Sequence, residues 1–370
     1  FTPGQADQFR RAMSRKRSRE AMEILREDFR RGARANGVAE ATIDRVFEKL
    51  KGFAEYGFPK SHAAAFALLA YQSAWLRHYY PVEFTCALFN AQPMGFYSPE
   101  VLVGDARRHG VPIVRPAINH SRWRCTVEAG AVRLGFAYVA GLGPQAGQAI
   151  EAEREQHGPF RSLFDFVERT QLSREAIENL IAGGAFDSFG LARRELLWQL
   201  GLIYRPAGRQ AAQRQAALPL PTEQDMVRLP ALSAWQRTVA DYAILRLSPD
   251  SHPMAFLRRR LGRGVTPVEQ LADVADGAGV RVAGLVVSRQ RPPTASGFLF
   301  VTLEDETGLA NVIIRPLIYQ RYRTIARTEP VIVVYGRLQR RDGVTNVVAS
   351  LLRPLRLPRD LTTPEAHHFR

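Results

Sequence analysis

Apolar and polar positions along the chain follow two periods, and the change from one to the other divides it. Over residues 1–90 the period is helical. Phe9, Ala12, Met13, Met22, Leu25 and Phe29 recur at helical spacing, and Gly37 closes the pattern. "AEATIDRVFEKLKGF" predicts a second helix and "KSHAAAFALLAYQSAWLRHYY" a third, with Phe66, Leu69, Ser73 and Leu76 on one face that should be buried. Pro81 stops it, because a proline inside a helix loses a backbone hydrogen bond and clashes with the preceding turn.

Residues 91–135 form a turn-rich connecting segment in which "AQPMGFYSPE" and "RRHGVPIVRPAIN" are broken by prolines and "GAVRLGF" is strand-like. Helical patterns return over residues 136–204, in "PQAGQAIEAEREQ", "SLFDFVERT", "SREAIENLIAGG" and "RRELLWQLGLIY". Residues 205–232, rich in Ala, Gln, Pro and Arg, have the composition of a flexible linker. A short helical segment covers residues 233–278 and carries the basic run "FLRRRLGRG". From 279 to 358 the period is two. "VRVAGLVVSR", "GFLFVTLED", "LANVIIRP", "PVIVVYGRLQR" and "TNVVASLLRPL" are strand candidates, with the helix-like "LIYQRYRTIART" between the third and fourth. Asp342-Gly343 predicts a two-residue hairpin turn between the last two. That order is the order of an OB barrel. Residues 359–370 are a tail. The fold class predicted is α+β and multidomain.

Composition narrows the function. The apolar share of 46% and the charged share of 24%, over 370 residues, are those of a globular protein with two or three domains. No apolar run is long enough to span a membrane, and "FTPGQADQFRRAMSRKR" has no apolar core of a secretory signal. It begins with Phe1 and not with methionine, so residue 1 is not expected to be a natural start. Cys86 and Cys125 are far apart, which excludes a CxxC site and fits a reducing cytoplasm. The histidines show no metal-binding spacing. Lys and Arg exceed Asp and Glu by 51 to 36, a net charge of +15. Most of that excess is arginine, whose planar fork suits phosphate oxygens, so nucleic acid is the leading partner. A genome biased toward arginine would give the same balance.

Three stretches could carry the binding chemistry. In the barrel, Phe298 and Phe300 alternate onto one face of the second strand and could stack on bases. Arg289, Arg315 and Arg337, with Arg291, Arg321 and Arg323, could meet phosphates of a single strand. Alternation alone leaves open which face is inside. In "VAGLGPQAGQAIEAERE", Gly141 and Gly143 precede a helix, as in a helix-hairpin-helix element whose amides meet a DNA backbone phosphate. Gly183 and Gly184 are a poorer second copy, and helix packing without DNA accounts for them equally. In "YGFPKSHAAAF", Ser61 can cap a helix whose first turn lies beside Lys60 and His62. Upstream, residues 10–19 hold Arg10, Arg11, Arg15, Lys16, Arg17 and Arg19 and no acid. Two basic clusters at one helix entrance would suit a triphosphate, and a capped helix with a surface lysine would look the same.

"RRAM", "FAEYGFPKSHAAAFALLAYQSAWLRHYYPVEF" and "NAQPMGFYSPEVLVGDARRHGV" resemble the fingers and following region of the bacterial C-family DNA polymerases. More narrowly they resemble the error-prone DNA polymerase III α subunits of translesion synthesis, a branch that often has glutamate where this chain has Lys60. The resemblance covers nearly the whole chain, with 1–90 as the fingers portion and 136–204 as the tandem helix-hairpin-helix. It implies that Arg10, Arg11, Lys60 and His62 lie near the phosphates of an incoming dNTP, where positive charge would stabilise phosphoryl transfer. The Gly141–Gly143 hairpin would hold primer-template duplex, and the barrel would hold template single strand.

The family's palm carries carboxylates that hold two Mg²⁺. This chain has no DxD, and Glu304-Asp305-Glu306 reads as a solvated turn of the barrel. The expectation is a carboxy-terminal portion without catalytic or metal-binding residues of its own, with Mg²⁺ held by palm residues outside it. Sliding clamp and translesion accessory proteins are further partners of the family. "QAALPLP", Gln215 to Pro221, is a degenerate clamp motif better read as a tether. The competing class is a non-catalytic repair scaffold with helix-hairpin-helix and OB modules.

Overall fold

The computed structural model describes residues 23–53, 60–95, 97–204, 227–262, 264–292, 295–341, 343–356, 358 and 367–369. The chain divides into two compact units that meet in sequence between Tyr79 and Tyr80. In the first, α1 (Arg26–Ala35) turns at Asn36 and Gly37 into α2 (Glu40–Phe53). Gly37 has φ +73°, a backbone state that glycine adopts without a Cβ clash. Phe29 packs on Phe47 at 5.5 Å, Ile43 and Phe47 are buried, and Arg30 bonds Asp44 at 3.1 Å. The third helix, α3 (Lys60–Tyr79), departs from expectation. Phe66, Leu69, Ser73 and Leu76, expected to be buried, are all exposed, with Phe66 at 58%. None of the described residues of this unit covers that face.

The second unit opens with α4 (Pro81–Asn90), which Pro81 starts at the first helical position, where a missing N–H costs nothing. There follow α5 (Pro99–Arg108), short strands β1 (Ile113–Val114), β2 (Thr126–Glu128) and β3 (Ala131–Arg133), and helices α6 (Pro144–His157), α7 (Leu163–Thr170), α8 (Arg174–Ala182) and α9 (Arg193–Ile203). Further along the chain come α10 (Ala234–Leu245) and α11 (Pro253–Leu257). Local caps place these helices. Ser162 Oγ accepts the Asp165 amide at 3.1 Å to start α7, and Ser173 Oγ accepts the Ala176 amide at 3.2 Å to start α8. β3 lies between β1 (parallel) and β2 (antiparallel). One apolar core runs from Cys86 to Leu247 and includes Ile118, Val132, Leu134 and Phe136, so residues 91–135 are built into the helical core and do not merely connect it. Cys86 and Cys125 are both buried and free, and burial pushes the Cys125 thiol up to about 12.

Strands β4 (Gly279–Gln290), β5 (Leu299–Glu304), β6 (Leu309–Ile314), β7 (Val331–Arg341) and β8 (Val344–Pro354) close a barrel in the order β5-β6-β8-β7-β4, with β4 returning to β5. All pairs are antiparallel except β6 with β8. β4 serves two partners, β7 over residues 279–285 and β5 over 285–290. It changes partner at Leu285, and at the preceding Gly284 a Cβ would stand 2.6 Å from the Glu304 carbonyl oxygen. Val282, Val286, Leu299, Val301, Leu303, Val312, Ile314, Val334 and Val347 fill the interior. Helices α12 (Pro316–Arg321) and α13 (Arg323–Thr328), between β6 and β7, pack Tyr319 and Ala326 onto that core. From the tail, β9 (His367–Phe369) pairs in parallel with Ser288–Gln290. Among the described residues no helix is long and apolar enough to cross a membrane. The α+β, multidomain class read from the pattern is the observed one.

Glu304-Asp305-Glu306 corrects the sequence reading. Glu304 and Asp305 are buried, not solvated. Glu304 receives Arg108 of α5 at 3.4 Å, and a Cβ at Gly104 on the same helix would collide with its carboxylate. Asp305 accepts the Val268 amide and pairs with Arg258, which also binds Glu306. Glu100, one turn before Gly104, is buried as well and accepts the Ser248 amide at 3.2 Å. Burial pushes Glu304 up to about 7, against the pull of Arg108, and pushes Glu100 up to about 8.

Both carboxyls hold their proton more tightly folded than unfolded, so stability should fall as pH rises from about 4.5 towards 8. Glu100→Gln, which keeps the neutral shape, should flatten that fall in a series of thermal unfolding midpoints between pH 5 and 8.

Candidate nucleic-acid interface

The barrel's register sorts its side chains. Along β5, Leu299, Val301 and Leu303 point inward, while Phe300 is 36% exposed on the outer face. Cross-strand pairing then lays out two rows. Phe300 stands opposite Ile313, Ile313 opposite Val348, and Val348 opposite Arg337. One step along, Thr302, Asn311, Asn346 and Gln339 are in register. β4 adds Gln290 to the first row and Ser288 to the second. Arg337 is exposed, and Ile313 and Val348 are half-buried. An aromatic ring, two aliphatic side chains and a guanidinium therefore lie across four strands on one side of the barrel. Such a surface can stack on bases and meet backbone phosphates.

The other barrel residues singled out in the sequence divide. Phe298 precedes β5, in a turn where its amide bonds the Ala295 carbonyl, and it is half-buried. Arg315 is exposed, but it sits at the start of α12, off the strand rows. Arg289 is a correction. It is only 6% exposed and donates to the Ala326 carbonyl at 2.8 Å and the Glu329 carbonyl at 2.5 Å. It caps the end of α13 and is not available to a strand of DNA. Arg291, in the loop between β4 and β5, lies over the Tyr319 ring at 4.7 Å.

In the helical core, Gly141 and Gly143 are exposed on either side of buried Leu142. Their φ values are +74° and +72°, and Gly143 directly precedes α6, whose first turn holds no acid. Leu142 anchors the turn while two glycines present backbone at the surface. The second pair is different, and the expectation of DNA contact there is corrected. Gly183 and Gly184 are buried, and their amides bond the Asn179 and Ile181 carbonyls at 2.8 and 3.0 Å. A Cβ on Gly184 would strike the Arg193 guanidinium, which binds Asp187 and the Ala182 carbonyl. Gly184 makes room for an arginine and Gly183 for the close packing of α8 on Ile244 and Leu245, and neither presents its backbone to a phosphate.

Arg10 and Arg11 lie outside the described residues. Lys60 begins α3, and the His62 ring lies 4.4 Å from Phe66. The acidic run does not fit Mg²⁺, because Asp305 and Glu306 are taken by Arg258, and Glu304 is buried beside Arg108. Among the described residues no group of three or more His, Cys, Asp or Glu is placed to hold a metal ion. Sequence reasoning missed Ile313, Val348 and Gln290 in the outer rows. Period two identifies their faces, but only the register makes them neighbours of Phe300.

A family model described as a helix-hairpin-helix motif matches residues 110–196, and one described as an OB-fold nucleic acid binding domain matches residues 280–355. These two modules define the class: a multidomain chain that joins a helix-hairpin-helix region to an OB barrel. The chain is similar to the carboxy-terminal portion of the error-prone DNA polymerases. It is 44% identical to that of Corynebacterium efficiens over 358 residues, 45% to that of Mycobacterium bovis over 362, and 41% to that of Anaeromyxobacter sp. over 370. Each match covers 96% of the chain but 32% of the relative, so the chain spans about a third of the length of the curated relatives it matches. Among solved structures, the asparaginyl-tRNA synthetase of Pyrococcus horikoshii overlaps 25% of this chain and 23% of its own, at 18% identity and a TM-score of 0.23. A replication protein A heterotrimer bound to single-stranded DNA overlaps 25% of this chain and 80% of its own, at 18% identity and a TM-score of 0.21.

Arg289→Ala removes two carbonyl partners in the folded barrel and nothing from its outer rows. It should lower the unfolding midpoint while leaving the salt slope of single-strand binding unchanged, as read by calorimetry and fluorescence anisotropy.

Proposed function

We propose that this chain is the DNA-holding portion of an error-prone polymerase that extends primers across damaged template, in repair and damage-induced mutagenesis. The row of Phe300, Ile313, Val348 and Arg337 carries the reading, since it offers stacking and charge together on an exposed sheet. Template single strand lies across that row. Primer-template duplex is gripped through its backbone at Gly141 and Gly143, where contact with phosphate fixes position without reading sequence. In the complete polymerase, Lys60 and His62, with Arg10 and Arg11, take the phosphates of the incoming dNTP. Mg²⁺ is held by carboxylates of the longer polypeptide, as are the steps that need it. Clamp and accessory proteins are partners of that longer polypeptide, which works in the cytoplasm.

Two measurements test this. Phe300→Ala should weaken binding to an oligonucleotide single strand by about 1–3 kcal/mol, and Arg337→Ala should reduce the log–log salt slope by about 0.7. Unchanged affinity and slope in both would remove the barrel from the DNA path. The chain alone, given primer-template, dNTPs and Mg²⁺, should extend no primer on a denaturing gel. Extension would mean that it carries its own catalytic carboxylates.

A further inference from the structure

The hairpin at Ala140–Gly143 is held from outside itself, on one side by a single side chain. Asn179, half-buried on α8, donates its Nδ2–H to the Ala140 carbonyl at 2.9 Å. The same nitrogen stands 3.0 Å from where a Cβ on Gly141 would be. Its backbone carbonyl accepts the Gly183 amide at 2.8 Å, at the turn that ends α8. On the other side, the Ala140 amide donates to the Ile244 carbonyl, in the last turn of α10. Both polar groups of the Ala140 peptide are thus fixed by separate helices, and Gly141 and Gly143 depart from that fixed point with left-handed φ.

We propose that Asn179 is a positioning residue for duplex binding: it sets the direction in which the hairpin presents its amides to a backbone phosphate. The inference rests on the reading of Gly141–Gly143 as a phosphate-binding turn. Asn179 does not itself meet DNA. A turn of two glycines has wide freedom, and rigid donors bind an anion better than mobile ones because less is lost in ordering them. Losing the amide leaves the Ala140 carbonyl with one partner fewer and releases the turn. Glu175, one turn earlier on α8, is exposed and brings a carboxylate oxygen to 3.9 Å from the same Gly141 point. A phosphate bound at the hairpin would lie near that negative charge.

Four proteins separate the proposal from the reading it rests on: the full chain, Asn179→Ala, Asn179→Asp and Glu175→Lys. Duplex and single-strand affinities are measured by anisotropy, and amide exchange is followed over residues 139–147. Asn179→Ala should weaken duplex binding about three- to tenfold. Exchange should quicken at the hairpin but not in α10, and single-strand binding should stay unchanged. Asn179→Asp, which sets an acceptor against the Ala140 carbonyl, should do worse. Glu175→Lys should strengthen duplex binding and steepen its salt dependence. If Glu175→Lys strengthens binding while Asn179→Ala leaves it within twofold, the hairpin binds phosphate but Asn179 does not position it, and the proposal fails. Should neither variant alter duplex binding, the phosphate reading fails and takes the proposal with it. A parallel loss of both affinities with faster exchange throughout the core would make Asn179 a general structural residue, which also overturns the proposal.

Discussion

A single buried carboxylate organises the helical half of the second unit. Asp241, on α10, is fully enclosed. It takes two bonds from Arg115, at 2.5 and 2.8 Å, lies 3.5 Å from Arg193 and accepts the Ser248 hydroxyl at 2.9 Å. A charge so placed is tolerable only when cations and donors surround it. Those partners come from the segment after β1, from α9 and from the loop beyond α10. Arg193 carries the connection onward to Asp187 and Ala182, and so fixes the turn at Gly183–Gly184. The neighbouring exposed turn at Gly141 keeps its backbone free of such a plug. One glycine pair thus serves packing, and the other serves the surface.

Much of this was legible in the sequence. Barrel strands announce themselves by alternation, because burying one face of a sheet imposes period two on the residues. The connection between β6 and β7 has a local signature too, as do Ser162 and Ser173 as caps. What remained hidden depends on groups brought from far away. Nothing near Glu304-Asp305-Glu306 discloses that Arg108 and Arg258 arrive to enclose it. Arg289 looks like any exposed strand arginine until α13 ends against it. The similarity to error-prone polymerases followed from long local motifs, which need no tertiary information. The rows that flank Phe300 needed the register.

Steric clearance explains how α5 and the barrel come together. Gly104 gives the Glu304 carboxylate room against the helix, and Gly284 lets β4 pass close over the backbone of the same residue. A side chain at Gly104 would push the barrel away from α5 and let the buried Glu100 and Glu304 meet solvent, and one at Gly284 would part β4 from β5 at Glu304. Two glycines distant in sequence converge on one acidic residue, so the junction depends on them as much as on its ion pairs.

The pairing of His367–Phe369 with Ser288–Gln290 bears on self-association. Where β4 leaves β7 for β5, its free backbone groups would form an open seam able to recruit an extended segment from any chain. The returning tail closes that seam with a strand of the molecule's own. Trimming those last residues would expose a template for intermolecular β-pairing, and colloidal behaviour at high concentration would register the change before any effect on the fold.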